Sequence, residues 1–213
     1  KGDKDAKAQS DLMLKIKATL DDGKPARSLE LDEDELAMAK SFGLMTLKPI
    51  LYVCNVSEDD AAEGNEMTQK VAAMAADQGA QSVIISAAIE AEIAQMDSEE
   101  DKREFLETMG LSEPGLNLII RAGFVLLGLQ TYFTAGPKEA RAWTVRKGAK
   151  APEAAGVIHT DFQKGFIKAE VISFADYIAG KGEQGAKDAG KLRQEGKEYI
   201  VQDGDVILFK FNV

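Results

Sequence analysis

Cysteine, histidine and tryptophan are almost absent from this chain of 213 residues, which has one of each: Cys54, His159 and Trp143. A single cysteine excludes an internal disulfide, and one cysteine with one histidine cannot build the four-ligand cluster of a structural zinc site. Long hydrophobic runs are missing as well. No segment approaches the roughly 18 apolar residues that cross a bilayer, and Lys1 to Lys7 are charged where a secretory signal would turn apolar. A cytoplasmic protein with no membrane partner is therefore expected. Positive charge is also scarce: 26 Lys and Arg face 36 Asp and Glu, a net −10, which argues against attraction of nucleic acid by the whole surface. The deficit is uneven. Residues 1–128 carry 13 basic and 25 acidic side chains, a net −12, whereas 129–213 carry 13 and 11, a net +2. Any contact with RNA is expected on the last third.

What is present is a hydrophobic content of 45%, enough for one to three compact units. Leu12, Ile16 and Leu20, with Met13 and Leu14, stand at helical spacing before the stop Asp21-Asp22-Gly23-Lys24-Pro25. Asp32 with Glu35 three residues on reads as the capping box of a second helix that leads to Gly43. Pro49 to Val56 is a nearly continuous apolar run of the kind buried on both faces of a parallel sheet. A helix over Glu66 to Gly79 with Met67, Val71, Met74 and Ala75 on one stripe follows, then a second buried strand, Gln81 to Ala87. Strand, helix, strand with short links is a βαβ unit, and two strands are too few for a doubly wound sheet, so further strands are expected from elsewhere. Residues 90–128 read as helical, with the acidic stretch Asp97 to Glu107 as a solvated face. At Leu129 the period changes to two. Leu129 to Thr134 and Ala140 to Arg146 flank a Gly136-Pro137 turn as a hairpin, and strands are expected at Lys168–Ser173 and Val206–Phe211.

Three stretches carry a family resemblance. Asn55-Val56-Ser57-Glu58, at the end of the first apolar strand, resembles the Asn-x-x-Glu variant of the Asn-Lys-x-Asp base-recognition motif in YchF/Obg-like P-loop ATPases. Ser86-Ala87-Ala88, with Glu90 and Glu92, is similar to the Ser-Ala base-contact loop of the same family. Arg141-Ala142-Trp143-Thr144-Val145-Arg146-Lys147-Gly148, then Ala155 to Phe162 and Gly165 to Val171, resembles its TGS domain, a small ubiquitin-like β-grasp module. The resemblance implies an α/β partial P-loop-type G domain with a helical insertion, followed by an α+β β-grasp domain. The implied boundaries are 1–47 for the returning helices of the helical domain, 48–128 for the second half of the G domain with linking helices, and 129–213 for TGS. No Gly-x-x-x-x-Gly-Lys-Ser/Thr and no strand ending in Asp-x-x-Gly occurs, so the groups that hold phosphates and magnesium are not in this sequence. On that resemblance the chain begins inside the protein it is similar to.

The resemblance implies ATP, with GTP as the lesser nucleotide, bound with Mg2+ by the intact protein, and little binding or hydrolysis by this chain alone. Asn55, Val56, Glu58, Ser86 and Ala87 are the expected base-contact residues. An asparagine amide offers a donor and an acceptor to a base edge, and the Ser86 and Ala87 N–H groups can meet ring nitrogens. Glu58 is one methylene longer than the guanine-reading aspartate and Val56 replaces the lysine, which disfavours a guanine-specific carboxylate fork. From four residues alone, Asn55 reads equally as a turn-capping side chain. His159 is expected as a packing residue of the second core, and Cys54 as a small buried hydrophobe. Arg141, Arg146, Lys147, Lys150, Lys164 and Lys168 interleave with Trp143, Phe162 and Phe166, a combination that suits RNA or the ribosome and reads equally as core aromatics among ordinary surface lysines. The oligomeric state is left open. A stand-alone module that docks on RNA or protein without nucleotide is the competing reading.

Overall fold

The computed structural model describes residues 4–212. They form an α/β fold that divides into two compact units, Lys1–Leu126 and Leu127–Val213 by their contacts.

The first unit opens with α1 (Lys4–Asp21), which buries Leu12 and Ile16. It ends where Gly23 adopts φ +74, a conformation that costs a residue without Cβ nothing. In α2 (Glu33–Ser41) both halves of the capping box form between Asp32 and Glu35. The first two helices share a small cluster of Leu12, Ile16, Ala26 and Ala39. Arg27 donates to Gln78 Oε1 at 2.9 Å, and the Tyr52 hydroxyl donates to the same oxygen at 2.9 Å. One amide thus ties the segment after α1 to the sheet.

That sheet has two parallel strands, β1 (Leu51–Asn55) and β2 (Gln81–Ile85), with Asn55 opposite Ile85. The crossover is α3 (Glu66–Asp77), capped by Asn65. Burial on both faces is not realised. Val53 is 44% exposed and the other β1 residues are half-buried or open, because only two strands and one crossover helix are present to cover them. Cys54, expected buried, is likewise only half-covered. The second strand stops at Ile85, two residues before the expected end, because Ala87 already starts α4 (Ala87–Ile93). Next come α5 (Glu99–Thr108), capped by Ser98 and carrying the acidic face, and α6 (Gly115–Leu127).

In the second unit β3 (Leu129–Ala135) and β4 (Ala140–Arg146) form the expected hairpin, in the register Leu129 with Arg146 to Ala135 with Ala140. The rest runs α7 (Ala151–Ile158), α8 (Thr160–Lys164), β5 (Phe166–Ser173), α9 (Phe174–Ala179), α10 (Glu183–Asp188), β6 (Arg193–Glu195) and β7 (Asp205–Phe211). The sheet order is β4-β3-β7-β5-β6, with β3 parallel to β7 and the other pairs antiparallel. Period-two patterning puts Tyr132, Val145, Val171, Ile207 and Phe209 in one core with Ala151, Ala154 and Ala155 of α7. The small α7 residues allow close helix-to-sheet approach, and the Tyr132 hydroxyl crosses to the Ala154 carbonyl at 2.8 Å.

Candidate functional site

The β1 and β2 carboxyl ends lie side by side, the edge of a parallel sheet where ligands are bound. Parallel pairing with Ile85 brings Asn55 beside the start of α4, and Asn55 Oδ1 accepts from the Ala87 N–H at 2.9 Å. Val56 continues the ladder through its N–H to Ile85 O at 2.9 Å. Three of the expected residues, Asn55, Ser86 and Ala87, thus meet in one place. With Oδ1 engaged, the Asn55 side chain presents its NH2 as the free end. Ser86 is 3% exposed, and its Oγ has no hydrogen-bond partner among the described residues. An orphaned buried hydroxyl beside a strand end is costly unless a ligand or water completes it.

The other two expected residues behave differently. The Val56 side chain packs towards Ala61, Ile89, Ile93 and Leu106, so its role in this structure is to seat the loop in a small core. Glu58 lies in a single 3-10 turn (Glu58–Asp60), is exposed, and its carboxylate makes no hydrogen bond or ion pair among the described residues. The loop itself is braced by Asp60, whose Oδ2 accepts from the Asn65 amide at 2.8 Å and from Ser57 Oγ at 3.2 Å. Beside it, Tyr52 to Ser57 with Asp60, Asn65, Thr68 and Val71 line a cavity of about 490 Å³.

One residue of the site went unassigned in the sequence beyond its place in the Ser-Ala loop. Glu90, one turn into α4, accepts from the N–H of Gly115 at 2.6 Å and of Leu116 at 3.2 Å, and so clamps the first turn of α6 to the segment that follows β2. Gly115 has no room for more: a Cβ there would lie 2.9 Å from Ile85 Cγ2 and 3.1 Å from Glu90 Oε1. The Pro114-Gly115 pair was the available signal, since it starts a helix. Among the described residues no group of three or more His, Cys, Asp or Glu side chains is arranged to hold a metal ion.

In the second unit the expected basic residues divide. Lys150 bonds Glu198 at 2.6 Å, and that carboxylate raises its ammonium above the ordinary value. Lys168 sits 3.7 Å from Glu170 and donates to Gln194 at 3.1 Å. These two are occupied within the fold. Arg141 lies over the Trp143 ring, 4.5 Å from its centroid, while Arg146, Lys147 and Lys164 are exposed and make no ion pair among the described residues. Phe166 is 5% exposed and belongs to the core, leaving Trp143 and Phe162 half-buried at its margin. His159 corrects an expectation. It is exposed rather than packed in the core, because it stands between α7 and α8, where its Nδ1 accepts from the Asp161 N–H at 3.2 Å as the α8 cap.

Residues 129–212 match the family YchF-GTPase_C, described as a protein of unknown function (DUF933). Over 212 residues the chain is 57% identical to the Ribosome-binding ATPase YchF of Haemophilus influenzae, covering 100% of this chain and 58% of that protein. The Ribosome-binding ATPase YchF of Bacillus subtilis is 53% identical over 213 residues, with 99% of this chain and 58% of that protein covered. The solved structure of the Schizosaccharomyces pombe YchF GTPase superposes with a TM-score of 0.84 at 34% identity, over 96% of this chain and 55% of that one. The chain therefore spans a little over half the length of the relatives it matches. Identity above one half from end to end, an α/β fold shared with a solved member and the match over the second unit together mean that this chain belongs to the YchF family.

Proposed function

We propose that this chain supplies the base-reading loops and the ribosome-contact domain of a cytoplasmic, ribosome-associated ATPase that prefers ATP to GTP. The observation that carries the reading is the Asn55 to Ala87 hydrogen bond beside the buried, unpartnered Ser86 hydroxyl. It supports a pre-set polar edge at the sheet terminus, where the Asn55 NH2 is the group offered to a base and Ser86 packs beneath it. The relatives' own names differ over ATPase and GTPase, so base choice is the point to test. Glu58 is the discriminating residue, because an exposed glutamate on a 3-10 turn is set further out than an aspartate that would grip two guanine N–H groups. The residues present fit the base half of such a site. Among the described residues no cluster of carboxylate, His or Cys side chains is arranged for magnesium, which in the intact protein would neutralise charge on the phosphates. Residues 129–213 are read as a TGS domain of β-grasp type, supported by the β4-β3-β7-β5-β6 order with α7 across one face.

Competition between ATP and GTP on the full-length protein tests the assignment. ATP is expected to win, Asn55→Ala to weaken both nucleotides, and Glu58→Asp to move the ratio toward GTP by about tenfold, the scale of one hydrogen bond to a charged group. Val56→Lys is a poor companion, since it would drive a charge into the Ile89 cluster. Preference for GTP in the unaltered protein would remove the ATP assignment, and phosphate release by the purified chain alone would reveal a second site.

A further inference from the structure

The cations of the second unit are sorted across its sheet. On β5, β6 and β7 each is matched: Lys168 and Lys210 with Glu170, and Arg193 with Glu195 and Asp205. Along the β4 edge and the turns that flank it, Lys138, Arg141, Arg146 and Lys147 are exposed and make no ion pair among the described residues. Arg141 and Arg146 are five residues apart, about 17 Å along the strand and on opposite faces of it, so a polyanion that meets both wraps the outer edge of β4. Four cations against the one carboxylate of Glu139 leave this edge with a local positive excess, although the chain as a whole is acidic.

At the Arg141 end of that edge the sheet opens into a groove of about 570 Å³, walled by Pro137, Trp143, Ile158, Phe162 and Phe211. Trp143 faces the core side of β4, as its register with Tyr132 requires, but is only half-buried because β4 is the outermost strand. Its Nε1 is held by Thr134 Oγ1 at 2.9 Å, which fixes the indole plane. Phe162 and Phe211 stack with centroids 3.8 Å apart and form a second flat wall. Lys138 lines the rim together with one carboxylate, Glu139, and the Arg141 guanidinium lies over the indole.

We infer that this groove takes an unpaired base of single-stranded RNA, with the flanking phosphates on Lys138 and Arg141 and the strand continuing along β4 towards Arg146 and Lys147. The inference rests on the proposed ribosome contact of residues 129–213 and names its chemistry. Flat aromatic walls next to unmatched cations are the composition that binds single strands, in which each base has a free face for stacking; a duplex keeps its bases stacked and out of reach. An apolar peptide would use the walls but would gain nothing from the four unmatched cations.

Trp143 is the single tryptophan of the chain, so its emission reports directly on the groove. The full chain is titrated with an oligouridylate of about ten nucleotides, within the span that small single-strand modules cover, and with a duplex of equal length. Saturable quenching by the single strand only is expected. Phe162→Leu, which keeps an apolar wall without an aromatic face, should weaken binding about fivefold or more. Arg141→Gln and Arg146→Gln should each lower the slope of log affinity against log salt by about 0.7, the single-strand value per phosphate contact. Unchanged thermal melting of the exposed arginine variants keeps the result free of folding defects. Oligonucleotide binding, followed by anisotropy of a labelled strand, that leaves Trp143 emission and the Phe162→Leu affinity unchanged would overturn the groove while leaving an RNA contact in place. Ribosome co-sedimentation that survives these substitutions, with no binding of the oligonucleotide, would overturn it in favour of a ribosomal protein partner. Loss of ribosome binding altogether in the unaltered full-length protein would instead remove the underlying reading.

Discussion

Tyr132 and Tyr199 carry their hydroxyls into the second unit for different ends. Tyr132 is fully buried and donates to a helix carbonyl, and burial pushes its phenol well above the usual range. Tyr132→Phe keeps the ring and its edge contact with Phe209 but deletes one buried hydrogen bond, so a loss of about 1–2 kcal/mol is expected by chemical denaturation. Tyr199 donates to Asp205 Oδ2 at 2.6 Å and receives from Arg193 at 3.0 Å; burial first, and then the bond to Asp205, push it up to about 12. An unfolded tyrosine ionises near pH 10, so between about 10 and 12 the folded protein holds a proton that the unfolded chain has lost. The stabilisation is complete below that window and fades as pH rises through it. Melting temperatures taken across the alkaline range should fall accordingly. Tyr199→Phe should flatten that fall and lower stability at neutral pH, because it leaves the Asp205 carboxylate, 3% exposed, short of a donor.

Among the elements, α6 has the least internal reason to stay where it is. Its first turn is bonded to the Glu90 carboxylate, while Leu116, Ile120, Val125 and Leu127 are exposed. A carboxylate at a helix N-terminus satisfies orphan N–H groups and meets the positive end of the dipole. Glu90→Ala should therefore cost about 1–2 kcal/mol and speed amide exchange in the first turn of α6, while Glu90→Gln, which keeps an acceptor, should cost less. Nucleotide affinity of the full-length protein is expected to drop with Glu90→Ala as well, because the α4 turn that holds Ala87 against Asn55 loses its brace.

At the scale of the whole molecule the two units differ in how much core each owns. Among the described residues the second has one cluster of twelve buried residues under a five-stranded sheet. The first has two clusters of four, a two-stranded sheet and open apolar side chains such as Val53, Met67 and Met74. Stability follows the area withdrawn from water, so the second unit should hold alone and the first should be the softer. A chain beginning at Leu127 is expected to unfold cooperatively, with slow amide exchange in β3, β5 and β7. In the intact chain β1 and β2 should exchange well before them. Fast exchange throughout the isolated second unit would contradict its independence.

Period and punctuation were enough for the sequence to determine the longer elements of the first unit and the opening hairpin of the second. Alternation placed β3 and β4, Asp32 with Glu35 placed α2, and Asn55 and Ser86-Ala87 marked the strand ends, because these signals act between residues a few positions apart. The short β6 and the helices from α7 to α10 were not anticipated, since elements of one or two turns, or a few strand residues, are too short to show a period. Sequence also listed six basic residues of the last third as equivalents. Only the tertiary structure separated Lys150 and Lys168, matched by Glu198 and Glu170, from Arg146 and Lys147, which are not, because Lys150 and Glu198 are joined across 48 residues by packing rather than by spacing. For the same reason it was folding that turned Val56 into a core residue, moved His159 to the surface, brought Glu90 onto α6 and left the Trp143 groove open at the sheet edge. Each depends on which distant element stands alongside, and a local pattern carries no information about that.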